Sequence, residues 1–361
     1  MSAENSSDAP LGEEKSREGQ VWESGAMTTL VGLGMTLGYA GTLLATAARR
    51  PFRAPGRPSW SVGDEARALY LRQFWRRMHA LPVAERRRRV DSVPVLLPGA
   101  LLRTRRRRDS LGGVPVTWVS PRSGVEPRLV LYAHGGGFTV GSSRTLRDLL
   151  ARLSLASSAR VLSLDYRLAP EHPWPAGLND LRAVWRAALV EHAPKQIVVS
   201  GDSAGGNLVL ALLMDLRDRG EPLPAGAVLF SPWVDLTCTA ASFQTNGEVD
   251  VLDREALLEE ATGYAGGGDP ARPELSPLRA GLGGLPPLYV QAGGAELFRD
   301  DVEAFVARAR AAGTRAVLDV FDDQVHDFQA FGALSRTSLD AIRRAGEAVQ
   351  VFAPVPKMAR G

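Results

Sequence analysis

The stretch Gly201-Asp202-Ser203-Ala204-Gly205-Gly206 most limits what this chain can become. It follows the β-branched run Ile197-Val198-Val199 and opens a helical pattern from Leu208 to Leu216. A strand turning this sharply into a helix leaves no room for a Cβ two residues before or after the serine, hence Gly201 and Gly205. Ser203 Oγ then stands clear of the sheet as a candidate nucleophile. The N–H of Ala204 points at whatever Ser203 attacks, and the helix N-terminus favours negative charge at the same spot.

A second glycine run follows the apolar run Leu129–Ala133 and reads His134-Gly135-Gly136-Gly137-Phe138. Glycines placed directly after a buried strand let the backbone approach a ligand closely and aim its N–H groups at it. Gly135, Gly136 and Ala204 are therefore the candidate donors of an oxyanion hole. Both motifs together point to acyl transfer. The only cysteine, Cys238, excludes an internal disulfide and a cysteine metal cluster.

These two motifs, with Asp165-Tyr-Arg-Leu-Ala-Pro-Glu-His-Pro173 between them, resemble the hormone-sensitive-lipase-like family of α/β-hydrolases over about residues 110–352. The resemblance implies the α/β-hydrolase fold: a mainly parallel central sheet with helices on both faces and a helical cap. The residues agree, since apolar strand runs alternate with helical patterns from Val114 onward. The stretch 235–286 breaks that alternation, and in the family the matching insertion contributes to the cap. The resemblance further implies hydrolysis of short to medium acyl esters through an acyl-enzyme, without metal or organic cofactor. The alternatives on the same fold are an amidase or peptidase, and a non-catalytic ligand receptor that has lost its base.

Chain order in this fold runs nucleophile, acid, histidine. Of the five histidines, His79, His134, His172 and His192 precede Ser203, which leaves His326 as the candidate base. His134 and His172 are read as residues that shape their loops. Activity is expected to rise through the ordinary histidine range, roughly pH 6 to 7. For the acid, relatives usually carry Asp-Pro-Leu-x-Asp where this chain has Glu296-Leu-Phe-Arg-Asp300. Placing Asp300 on the second Asp puts Glu296 on the catalytic one, with Asp300 as the alternative.

The first part of the chain carries no such match. Residues 1–23 are polar and expected to be disordered. Residues 24–48 hold no charge, enough length to span a bilayer, but also five glycines and five threonines. Three readings fit: a membrane anchor, a cleaved signal peptide, or a cap helix over the site. Arginines follow the segment and acidic residues precede it, so an anchor places the catalytic domain in the cytoplasm; without one the protein is soluble and cytoplasmic. Residues 49–109 form a basic region. It contains a helix over 62–80 with Ala66, Leu69, Tyr70, Phe74 and Met78 on one face. The tetrads Arg86–Arg89 and Arg105–Arg108 are either a solvated face or a contact for anionic lipid headgroups beside a lipid-like substrate. No aromatic residues interleave with them, which argues against nucleic acid. The catalytic domain is expected over 110–361.

Overall fold

The computed structural model describes residues 34–95, 97–125 and 127–355. Eight strands form one sheet: β1 (Thr104–Leu111), β2 (Val114–Pro121), β3 (Leu129–Ala133), β4 (Arg160–Leu164), β5 (Ile197–Asp202), β6 (Gly226–Phe230), β7 (Leu288–Gly293) and β8 (Ala316–Phe321). Their order is β1-β2-β4-β3-β5-β6-β7-β8. The first two pairings are antiparallel and the rest parallel. Every residue of β3, β5, β6 and β7 is buried, as strands covered on both faces require.

Ahead of the sheet, residues 34–49 form α1, followed by α2 (Val62–His79), α3 (Val83–Asp91) and α4 (Gly99–Leu102). Between and after the strands come α5 (Arg147–Ser157), α6 (Ala176–Ala188), α7 (Ser203–Asp218), α8 (Ser242–Thr245), α9 (Arg254–Ala265), α10 (Arg299–Ala311) and α11 (Arg336–Phe352). Leu181 of α6, Leu212 of α7 and Phe305 of α10 share one core cluster with the sheet, while Leu150 of α5 and Val349 of α11 belong to the other. The helices therefore cover both faces.

Among the described residues no helix is long and apolar enough to cross a membrane. The described part of the uncharged segment, α1, lies against α2. Tyr39 meets the Tyr70 ring edge-on at 6.0 Å, Gly38 faces Tyr70, and Arg50 pairs with Glu65 at 2.7 Å. Residues 1–33, including the expected disordered tail, lie outside the described residues. The packing face of α2 is broader than the one expected. Ala66 and Met78 are buried and Tyr70 meets Tyr39, as expected of that face, but Leu69 is exposed, and Ala68, Leu71 and Trp75 also pack with Trp60, Val251 and Val325. That cluster ties α2 both to the 235–286 insertion and to the loop that carries His326.

The arginine tetrads separate. Arg105–Arg108 lie in β1, an edge strand joined to β2 by Gly112-Gly113, both at positive φ (61° and 79°). A two-residue turn of this kind matches the twist of a hairpin, and charged side chains keep an edge strand from pairing with another chain. In the other tetrad Arg88 and Arg89 bind Glu85 on the surface. Arg87 instead turns inward toward the loop after β3, and Arg86 toward Glu260 of α9.

Candidate active site

The site lies at the C-terminal ends of the parallel strands. β5 ends at Asp202 and α7 begins at Ser203, whose φ is +51°. A Cβ on Gly205 would sit 2.1 Å from Ala133 O, and one on Gly201 2.6 Å from the Gly205 backbone. Neither position admits a side chain, and that is what allows the left-handed turn at Ser203. Ser203 is 6% exposed.

Asp202 fixes the neighbouring loop. Its Oδ1 accepts from the Gly135 N–H at 2.9 Å and from Tyr132 Oη at 2.8 Å. Burial pushes this carboxyl well above the usual range, and the charge of Asp327 pushes the same way, against the two hydrogen bonds. The consequence corrects one expected donor: the Gly135 N–H points back into the domain at Asp202 and is not free for a ligand. The N–H groups of Gly136 and Gly137 meet no acceptor among the described residues. Ala204 stands in the first turn of α7, where N–H groups lack intrahelical partners. Gly137, the third glycine of the run, is a further candidate donor that the sequence reading leaves out.

His326 and Glu296 come together. Nδ1 of His326 lies 3.6 Å from Glu296 Oε2, a contact slightly longer than a hydrogen bond. Glu296 is fully buried and its Oε2 also accepts from Ser231 Oγ at 2.6 Å. Burial raises the Glu296 carboxyl, with His326 and Ser231 acting in the opposite direction. On the other side of the ring, His326 Nε2 is 3.2 Å from Asp327 Oδ2. Burial acts to lower the imidazole, but the Asp327 and Glu296 carboxylates outweigh it and raise His326 well above the ordinary range. Among the described residues no hydrogen bond links Ser203 Oγ to His326. The two loops are nonetheless adjacent, since the His326 and Asp327 charges both act on Asp202. Catalytic hydrogen bonds commonly tighten only once substrate is bound.

Asp300, the alternative acid, does not face the imidazole. It sits in the first turn of α10 and accepts from the Ser242 N–H at 2.8 Å. Asp250 is the residue that sequence reasoning passed over. It is fully buried within the insertion. Its Oδ1 accepts from the N–H groups of His326 and Val251, and its Oδ2 from that of Leu297, all at 2.8 Å. One carboxylate thus joins the loop of the candidate acid to the loop of the candidate base. No local pattern around Asp250 announces this, because its partners lie 47 and 76 residues away. His134 is buried, stacks on Tyr166 at 4.3 Å and contacts Gly135 O through Nδ1 at 2.8 Å, which is a loop-shaping role.

A family profile described as the alpha/beta hydrolase fold matches residues 130–330. An acetyl-hydrolase of Streptomyces hygroscopicus is 38% identical over 66% of this chain and 80% of its own length. The carboxylesterase NlhH of Mycobacterium tuberculosis is 31% identical over 72% of this chain and 85% of its own. A crystal structure of an esterase from the bacterial hormone-sensitive lipase family superposes with a TM-score of 0.73 at 40% identity, covering 78% of this chain and 97% of that one. The esterase EstE5, solved after soaking with p-nitrophenyl butyrate, gives a TM-score of 0.73 at 35% identity over 79% of this chain and 99% of its own. This chain belongs to the α/β-hydrolase family, and within it to the hormone-sensitive-lipase-like group.

Proposed function

We propose that this carboxylester hydrolase cleaves short to medium acyl esters through an acyl-enzyme on Ser203. The observation that carries the reading is the turn at Ser203: positive φ on the serine, flanked by two positions that admit only glycine. Ser203 Oγ attacks the ester carbonyl. His326 Nε2 takes its proton and returns it to the leaving alcohol, and Glu296 on the Nδ1 side orients the ring and stabilises its charged form. The N–H groups of Gly136, Gly137 and Ala204 receive the oxyanion, each donor lowering the barrier by roughly 3 kcal/mol. For His326 to act, Nε2 must leave Asp327 and turn to Ser203, a rearrangement that substrate binding drives.

The 235–286 insertion, with the N-terminal helices, closes over this site as a cap. Tyr264 of α9 stacks on Phe138 with ring centroids 3.5 Å apart, so an aromatic wall borders the turn after β3. Hydrolysis of nitrophenyl esters of graded acyl length, against the matching anilides, tests the reading. Turnover falling from short to long esters, with anilides far slower, is expected. Anilides cleaved as fast as esters would favour the amidase. Contact with a lipid surface falls to the exposed Leu37, Leu44 and Phe52, and flotation with anionic vesicles is its test.

A further inference from the structure

The turn after β3 is gripped from outside as well as from within. Arg87 of α3 donates through Nε to Thr139 O and through Nη2 to Ala169 O, both at 2.8 Å, and pairs with Glu171 at 2.7 Å. From the insertion, Glu260 of α9 reaches the same turn. Its Oε1 accepts from Thr139 Oγ1 at 3.2 Å. Its Oε2 rests so close to Gly137 that a Cβ there would lie 1.8 Å away. Glu260 is 8% exposed and has no place in the chemistry described above.

We propose that Glu260 is a positioning residue for the oxyanion-binding turn, and that it supports catalysis only while its carboxyl is uncharged. The proposal rests on the reading that Gly136 and Gly137 receive the oxyanion. A neutral acid packed on Gly137 fixes the turn without opposing the negative charge that develops beside it. An ionised one opposes that charge from a site screened from water.

Burial favours the neutral form and outweighs the neighbours that oppose it. Burial pushes Glu260 up to about 8, helped by Glu259 of the same helix and countered by Arg86 of α3 and by Thr139. Arg86 Nη1 stands 3.5 Å and His79 Nδ1 of α2 3.8 Å from Oε1. His79 is itself lowered to about 4 by burial and by Arg86, against Asp253, so it stays neutral wherever the enzyme is assayed.

The experiment follows kcat and KM for a nitrophenyl ester from about pH 6 to pH 10 in wild type, Glu260→Gln and Glu260→Ala. The ratio of Glu260→Gln to wild type cancels the titration of His326. It should be flat at neutral pH and rise roughly tenfold in kcat above about pH 8, with KM unchanged. Glu260→Ala should lose kcat at neutral pH, and the glutamine variant should restore it. Arg86→Gln, which leaves Glu260 in place, should move the alkaline loss in wild type to higher pH. A flat ratio, or an alanine variant with full neutral kcat, or an Arg86→Gln profile identical to wild type, overturns the proposal. Labelling of wild type with a fluorophosphonate separates the two levels. If Ser203 is not labelled, the reading of the site fails; if it is labelled and the ratio is flat, only the role of Glu260 fails.

Discussion

Replacing Asp327 by Asn should make the enzyme work at lower pH. The side chains are nearly isosteric, and Asn tolerates the left-handed backbone at this position, where φ is +50°. What changes is one negative charge 3.2 Å from His326 Nε2. At that separation Coulomb's law gives about 5 kcal/mol for an effective dielectric of 20 and about 1.3 kcal/mol in water. The Asp327 side chain is 25% exposed, so partial screening puts the effect between the two. At about 1.4 kcal/mol per pH unit, those bounds correspond to an acid limb displaced downward by roughly one to four pH units. The sign follows from the mechanism. Wild-type His326 holds its proton to unusually high pH, and the base must be neutral, so the acid limb of kcat/KM lies above the ordinary histidine range. That replaces the limb near pH 6 to 7 expected from sequence. In Asp327→Asn the limb moves down, and below pH 7 the variant outpaces wild type. The assay is nitrophenyl ester hydrolysis from about pH 5 to 10, with circular dichroism confirming the fold at each end. An unmoved limb, or one displaced upward, refutes the reasoning.

Two further substitutions separate chemistry from scaffolding. Glu296→Gln should cost at least about a hundredfold in kcat with little change in denaturation midpoint, whereas Asp300→Asn should leave kcat near wild type and cost about 1 kcal/mol or less from the start of α10; the reverse pattern would move the acid to Asp300. Asp250→Ala strands three buried N–H groups, so urea unfolding should show a loss of at least about 3 kcal/mol along with reduced turnover. A variant of wild-type stability would mean that water replaces the carboxylate.

The parts of the fold legible in the sequence were those with local periodicity. The apolar runs of β3, β5, β6 and β7 and the glycine-flanked turns identify themselves, because burial on both faces and tight turns each restrict residue type. β1 was not legible. Its Thr-Arg-Arg-Arg-Arg sequence has neither apolar alternation nor β-branched enrichment, and the only signal was Gly112-Gly113 at its end. The arginines misled for a related reason. A run of like charges looks solvated, yet Arg87 finds two backbone carbonyls far along the chain. In the candidate site, Ser203, Glu296 and His326 are the residues that motif and chain order propose. Gly135 was misassigned because the direction of its N–H depends on Asp202, 67 residues away. Asp250 and Glu260 lie in the insertion, where no periodicity marks a buried carboxyl and only the fold supplies its partners.

The claim on which everything else depends is that Ser203 is the nucleophile. The direct measurement is peptide mass mapping after reaction with a fluorophosphonate, run on wild type and on folded Ser203→Ala beside an ester assay. The account predicts one adduct, on the peptide containing Ser203, and a variant that neither labels nor hydrolyses ester. An adduct on another serine, or hydrolysis by Ser203→Ala at the wild-type rate, would contradict it.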